Sequence, residues 1–306
     1  MKTLALVLTL LLHVTGLWMY LPSTTRSQLT AADTHIPGAV STADISTRPL
    51  LPGPLPIQTG AEPLNLNTAA AVAVDAGTGT ILYSHNAGAQ RPIASITKLV
   101  TSMVILSGHQ TTDPVTVPKL PAYDPADELV GLQPGETYSV GDLVTAALVQ
   151  SGDDAADALA LWDSGSAPKF AAKMNAKMAE WGITGTHFSS PSGLQDQNNY
   201  STAASVSKIA LLALSSAFIR HAVTLQNTSI TSTTGRIIYV QTIDQLLATG
   251  QFYGIKTGYT PAAGECFVGL TRINGHEVVT VVLGAADRFA ATQTLTNWIS
   301  RNWQWL

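Results

Sequence analysis

The chain opens with an apolar run from Leu4 to Leu21, interrupted by polar Thr9, His13 and Thr15. As a helix rising about 1.5 Å per residue it would measure roughly 27 Å, close to the thickness of a bilayer core. It reads as an N-terminal membrane anchor or as a cleaved signal segment, and both place the rest of the chain outside the cytoplasm. Residues 22–65 follow, rich in Pro, Thr, Ser, Ala and Gly, with Pro52-Gly53-Pro54. Such a composition cannot bury a core, so the segment is expected to be a linker. Ordered structure is expected from 66 to 306.

Within that region the pattern changes period several times. Ala71–Asp75, a Gly77-Thr78-Gly79 turn and Ile81–Tyr83 predict a hairpin. Pro92 and Ser95 mark a helix start, and the apolar run to Leu106 predicts the helix. A proline-rich loop follows, over about 107–137. Ser139-Val140-Gly141-Asp142 opens a helix to Val149, Ser151-Gly152-Asp153 interrupts it, and a second helix follows over about 154–162. Helical periodicity continues over 169–181 and 202–215. The last third turns to strand: 236–241, 254–258, and a hairpin of 265–273 and 277–283 around Asn274-Gly275. A helix over 290–303 closes the chain. Strands at both ends with helices between them predict an α+β fold.

Composition narrows the function by exclusion. Of 306 residues only 12% are charged, with a net charge of -4, so no basic surface points to nucleic acid. Cys266 is the only cysteine, which excludes an internal disulfide and a multi-cysteine zinc site. There is no HExxH, GxGxxG or GxSxG pattern, and the seven histidines are scattered; no metal or cofactor is implied.

The candidate chemistry begins at Ser95-Ile96-Thr97-Lys98. Residues three apart share a helix face, with Cβ atoms about 5–6 Å apart. A serine there has an amine beside it, a nucleophile with its base if the amine is neutral. An unperturbed lysine titrates near about 10.4, so burial or a second cation has to disfavour its charge. The motif alone is weak, because Ser166–Lys169 and Ser205–Lys208 also match it.

Three stretches acquire meaning together: Ser95-x-x-Lys98, Ser151-Gly152-Asp153 and Lys256-Thr257-Gly258. In order and separation they resemble the SxxK, SxN and KTG motifs of the serine D-alanyl-D-alanine carboxypeptidases, the low-molecular-mass penicillin-binding proteins. The resemblance spans about 66–306. It extends to Gly135-Glu136, Asp142-Leu143, Phe188–Leu194, Tyr200-Ser201-Thr202, Ala263-Gly264 and Arg288-Phe289 with Leu295 and Trp298. It implies a DD-peptidase/β-lactamase-like α+β fold, with an antiparallel sheet built from both ends of the domain plus a helical subdomain.

The resemblance also implies acyl transfer. Ser95 is the nucleophile, Lys98 its base, and Ser151 the relay to the leaving amine. Asp153, Lys256, Thr257, Gly258, Tyr259 and Arg288 are expected to bind substrate, with the backbone N–H groups of Ser95 and Tyr259 holding the oxyanion. The implied partners are peptidoglycan stem peptides, with β-lactam antibiotics as inhibitors. The sequence departs from the family at Asp153, where asparagine is expected, and at Tyr259, commonly histidine. A D,D-endopeptidase or transpeptidase of the same fold remains open, as does a wall-binding or β-lactam-binding module with little turnover. A class A β-lactamase is disfavoured. Between Ser151 and Lys256 the only glutamate is Glu180, and the E-x-x-L-N pattern is missing.

Overall fold

The structure is a computed structural model that describes residues 54–194 and 198–306. The apolar run of 1–21 lies outside the described residues, as does most of the expected linker. The linker's last part does not behave as a tether. Strand β1 (Pro56–Gln58) pairs antiparallel with the last strand of the chain, and the Glu62 carbonyl accepts the Trp298 indole N–H at 2.8 Å. A three-residue strand has too few positions to show a period, so composition alone assigned it to the linker.

Strands β2 (Thr68–Asp75) and β3 (Ile81–His85) form the expected hairpin, and the short β4 (Arg91–Pro92) follows. Helix α1 (Thr97–Leu106) is next, then the small pair β5 (Pro114–Thr116) and β6 (Thr137–Ser139). Helices α2 (Val140–Val149), α3 (Asp153–Ser164) and α4 (Ala167–Glu180) come next. Strand β7 (Tyr200–Ser201) precedes α5 (Ala203–Ser215) and α6 (Ala217–Ala222). The remaining elements are the hairpin β8 (Asn227–Thr231) with β9 (Ile237–Gln241), then β10 (Phe252–Thr260), β11 (Gly264–Ile273), β12 (His276–Ala285), α7 (Arg288–Asn302) and β13 (Trp303–Trp305).

The main sheet has the order β10-β11-β12-β2-β3, antiparallel throughout, and so joins strands from both ends of the domain. Both its faces are covered. Ala70, Val72 and Val74 of β2 and Val279, Val281 and Leu283 of β12 pack into the large helical core. The alternate residues Ala71, Ala73, Val278 and Val282 pack against Leu295, Trp298 and Ile299 of α7. Burial on both faces is why these strands read as near-continuous apolar runs.

Two features place the site. Ser139 caps α2 in a capping box with Asp142, whose N–H donates to Ser139 Oγ at 3.0 Å; this fixes where α2 starts and hence where it delivers Ser151. Strand β10 is the sheet's edge, so one side of its backbone has no strand partner where it passes residues 93–95, just ahead of α1.

Candidate active site

Ser95 lies in a single 3-10 turn, Ala94–Ile96, just ahead of α1. It does not cap the helix: neither the turn nor α1 receives a side-chain cap. Its hydroxyl instead accepts from Lys98 Nζ at 2.7 Å, the contact the three-residue spacing predicts. Lys98 is fully buried, and its amine also reaches the Ser192 carbonyl at 3.2 Å and Ser151 Oγ at 3.5 Å. Ser95 itself is only half-buried, so the nucleophile faces the entrance and the base lies behind it.

The backbone around these groups is strained. Four non-glycine residues have positive φ among the described residues, and two are asparagines. The other two are Ala94, beside the nucleophile, and Ser151. Such residues cost about 1–3 kcal/mol each and persist only where their surroundings hold them. The turn at Ala94 is held by Thr97, whose hydroxyl donates to the Ala94 carbonyl at 2.7 Å, and by Asn199, whose amide donates to Thr97 Oγ1. Gly193 seals the same corner. A Cβ on it would stand 2.1 Å from the Ala94 oxygen, so no side chain fits. Thr97, Asn199, Ser192 and Gly193 are site residues that motif reading missed.

The third motif arrives on β10. Lys256 and Thr257 are buried, while Tyr259 is 58% exposed at the rim. Gly258 is there because of the turn and not only because of substrate. A Cβ on it would lie 2.9 Å from the Ile93 carbonyl and 3.3 Å from the Ser95 nitrogen. The bare glycine therefore lets the edge strand lie against the nucleophile's own amide. Lys256 Nζ donates to the Thr257 carbonyl at 3.2 Å, and burial, reinforced by Lys98, holds its ammonium well below the usual lysine range.

Arg288 sits differently from a free carboxylate clamp. Its Nη1 donates to the Gly258 carbonyl at 3.0 Å, its Nε lies 3.0 Å from Glu265 Oε2, and its guanidinium stacks over Phe289. It braces the end of β10. Arg288→Gln should therefore slow acylation by β-lactams and by peptides to a similar degree. It should also cost about 1.5–3 kcal/mol of stability, the worth of a charged hydrogen bond. Paired acylation rates and a denaturant titration measure both; a loss confined to peptides would make Arg288 a carboxylate ligand.

Asp153, expected to bind substrate, is placed as the partner of the base. It is 1% exposed, with Oδ1 2.6 Å from Lys98 Nζ and Oδ2 accepting the Glu128 N–H at 3.1 Å. Burial pushes its carboxyl above the ordinary aspartate range, with Lys98 pulling the other way. An anion at this distance favours the ammonium form of the lysine, which opposes its use as a base. Asp153→Asn should therefore speed acylation near neutrality and move the rising limb of its pH profile to lower pH. Acylation rate against pH for both proteins is the measurement, and an unchanged profile would show that the carboxylate does not hold the base in its charged form.

The neighbouring Asp154 is structural. Its carboxylate accepts the N–H groups of Val130, Gly131 and Leu132 at 3.0, 2.8 and 3.0 Å, pinning that loop over the start of α3. The two other SxxK matches are ordinary. Ser166 and Thr202 cap α4 and α5, Ser205 Oγ donates to the Thr184 carbonyl, and Lys169 and Lys208 are exposed. Cys266 is buried on β11, where burial pushes its thiol up to about 11.

A buried lysine bridging two serines, with a second lysine delivered by an edge strand, defines an active-site-serine acyl-transfer enzyme. The model of a family described as D-alanyl-D-alanine carboxypeptidase matches residues 57–287, and the chain belongs to that family of serine peptidases. D-alanyl-D-alanine carboxypeptidase DacF of Bacillus subtilis (strain 168) is 29% identical over 224 residues; the match takes in 71% of this chain and 57% of DacF. The chain thus spans little more than half of that relative. Among solved structures, the Streptomyces K15 DD-transpeptidase is similar with a TM-score of 0.71 at 27% identity, over 78% of this chain and 99% of the other. Penicillin-binding protein D2 of Listeria monocytogenes, solved in a cefotaxime-bound form, gives 0.68 at 26% identity, over 79% and 100%.

Proposed function

We propose that this enzyme removes the terminal D-alanine from peptidoglycan stem peptides through an acyl-enzyme on Ser95. The observation that carries the reading is the 2.7 Å contact between Lys98 Nζ and Ser95 Oγ, with Ser151 Oγ 3.5 Å from the same nitrogen. Ser95 Oγ attacks the carbonyl between the two D-alanines as its proton passes to Lys98. The oxyanion lies between the backbone N–H groups of Ser95 and Tyr259, one at a helix start and one on the edge strand. Ser151 relays the proton to the departing amine. Lys256 and Thr257 receive the terminal carboxylate, and water then releases the acyl group. β-Lactams acylate the same serine.

A second reading is favoured by the likeness to a solved DD-transpeptidase. The same acyl-enzyme would be resolved by an amine, or formed from a cross-linked peptide. One experiment separates these. The protein is incubated with a β-lactam and its mass is read; it is then given a stem pentapeptide, alone and with an acceptor amine, and a cross-linked dimer. A Ser95 adduct with steady release of D-alanine from the pentapeptide supports the carboxypeptidase. Turnover confined to the dimer or to the acceptor supports the alternative. An adduct without turnover reduces the protein to a β-lactam-binding module.

The run 4–21 holds the domain at the outer face of the membrane in this reading, supported by its length and apolarity. The mature protein should keep it and sediment with membranes. N-terminal sequencing that starts beyond Pro22 would show a cleaved signal instead.

A further inference from the structure

A small pocket beside Lys256 brings together two charged groups. Among its walls are the apolar Leu148, Val223 and Ile255, and its polar lining comes from Thr242, Asp244, Lys256 and Thr257. It has room for about one water molecule. Lys256 is buried, and its ammonium carries three donors. Among the described residues one acceptor meets it, the Thr257 carbonyl at 3.2 Å. Asp244 is 8% exposed, and its Oδ1 accepts the Leu246 N–H at 2.9 Å. Its Oδ2 is buried and meets no donor among the described residues. We propose that Asp244 is a positioning residue for Lys256: across a single bridging water it keeps the amine charged and aimed at the terminal carboxylate of the substrate.

A turn alone does not account for Asp244. Its bond to Leu246, two residues on, secures the chain ahead of the 3-10 turn Leu247–Thr249. That bond uses one oxygen, and asparagine makes the same turn. A carboxylate adds a second oxygen and a charge, and a buried charge needs a partner. Buried polar atoms are nearly always hydrogen-bonded, so the bare Oδ2 calls for a donor. Lys256 has donors to spare on the same pocket. A water between them accepts from the ammonium and donates to Oδ2, at little cost against a direct bond.

The electrostatic need lies with Lys256. Burial, reinforced by Lys98, holds its ammonium well below the usual lysine range, and a neutral amine does not attract a carboxylate. An anion across the pocket favours the charged form. The two groups act on each other in that sense: Asp244 raises the lysine, and Lys256 lowers the carboxyl that burial pushes up. The other charges facing the pair are Lys98 from α1, Asp153 from α3 and Arg288 from α7. Each has a nearer partner. Asp153 lies 2.6 Å from Lys98, and Arg288 lies 3.0 Å from Glu265 of β11. Elsewhere on β11, Arg272 meets Glu277 and Cys266 stays a thiol. On α6, Arg220 is bound to Glu277 and His221 is exposed. Asp142 is engaged at the opposite end of α2. Strand β9 and the turn Leu247–Thr249 carry no charge.

The inference rests on the reading in which Lys256 receives the substrate's carboxylate, and the experiment keeps the two apart. Acylation of Ser95 is followed against pH in the full chain, with a chromogenic cephalosporin as its free acid and as its methyl ester, which lacks the carboxylate charge. In the parent the acid should react faster than the ester and show a falling limb at high pH that the ester lacks. Asp244→Asn keeps an acceptor for Leu246 and removes the charge. It should slow the acid about tenfold above neutrality and move its falling limb about one pH unit lower, the two being one effect on a single protonation equilibrium. The loss should lie in the half-saturating concentration and not in the limiting rate, as expected when binding of the carboxylate is what weakens. The ester, with no charge to hold, should lose far less. The deficit of the acid should close as pH falls, because Lys256 is then protonated without help. The acid-to-ester ratio is internal to each protein and independent of the fraction folded, so Asp244→Ser should shift it the same way even if it is less stable. An unchanged ratio, an equal loss for acid and ester at every pH, or a faster reaction of the acid would overturn the proposal. A parent that treats acid and ester alike would take the carboxylate from Lys256, and a parent that forms no Ser95 adduct would overturn the acyl-enzyme reading; either result removes the proposal with it.

Discussion

The Ser95→Ala protein should keep its unmodified mass after prolonged exposure to a β-lactam, while the parent gains one adduct. The expected loss is complete, because nothing else described can replace the nucleophile. Ser151 Oγ lies 3.5 Å from the amine, against 2.7 Å for Ser95, and is 1% exposed. Ser205 is tied to the Thr184 carbonyl, and Ser166 caps a helix beside an exposed lysine. The Cys266 thiol is buried and shifted away from thiolate. The substitution is small and removes no packing, so the variant should unfold with the parent. Mass spectrometry of the intact protein and of its peptides reads the outcome. An adduct persisting on any other residue would dissociate the three motifs from the chemistry.

The elements that carry the site were legible where local chemistry announces them. The Ser139/Asp142 capping box, the Asn274-Gly275 hairpin, and the Ser95–Lys98 spacing each depend on residues a few positions apart, and each stands where the pattern puts it. The sheet order was legible only coarsely, because nothing local says that β2 inserts between β3 and β12. Contacts between distant residues were not legible at all. Asn199 holds Thr97 from 102 residues away, and Asp154 gathers three amides 22–24 residues earlier in the chain. Helix α6 and strand β8 were missed as well: six residues from Ala217 are too short for a helical period to emerge, and of the five from Asn227 only Ile230 is apolar.

Asp153 shows how a motif can mark a residue without giving its surroundings. Read along the motif, it occupies the place of a substrate-binding asparagine. In the fold, the positive-φ backbone at Ser151 and the reciprocal bonds with Glu128 turn its carboxylate inward to the lysine. The departure from the family is thus a change in the charge state of the base's surroundings.

The Lys98→Met protein should lose acylation by about 10²–10⁴-fold, the usual worth of a positioned base. It should also be destabilised by about 3–5 kcal/mol, the cost of removing one partner from a buried ion pair. The two losses have different causes and should separate. The first follows from the missing proton acceptor. The second follows from Asp153, which is left in a pocket where it is 1% exposed, with the Glu128 N–H still donating to it. Burial already pushes this carboxyl up, and without the lysine it rises further. Protonation removes the buried charge, so the stability deficit should be largest at neutral pH and shrink as pH falls through the raised value. Lys98→Met combined with Asp153→Asn removes both charges and keeps an acceptor for Glu128, so it should recover most of the stability and none of the acylation. Denaturant titrations at two pH values, run beside the acylation rates, test each part. A single variant as stable as the parent at neutral pH would show that Asp153 is not held as a buried anion once the lysine is gone. Recovery of acylation in the double variant would take the base role away from Lys98.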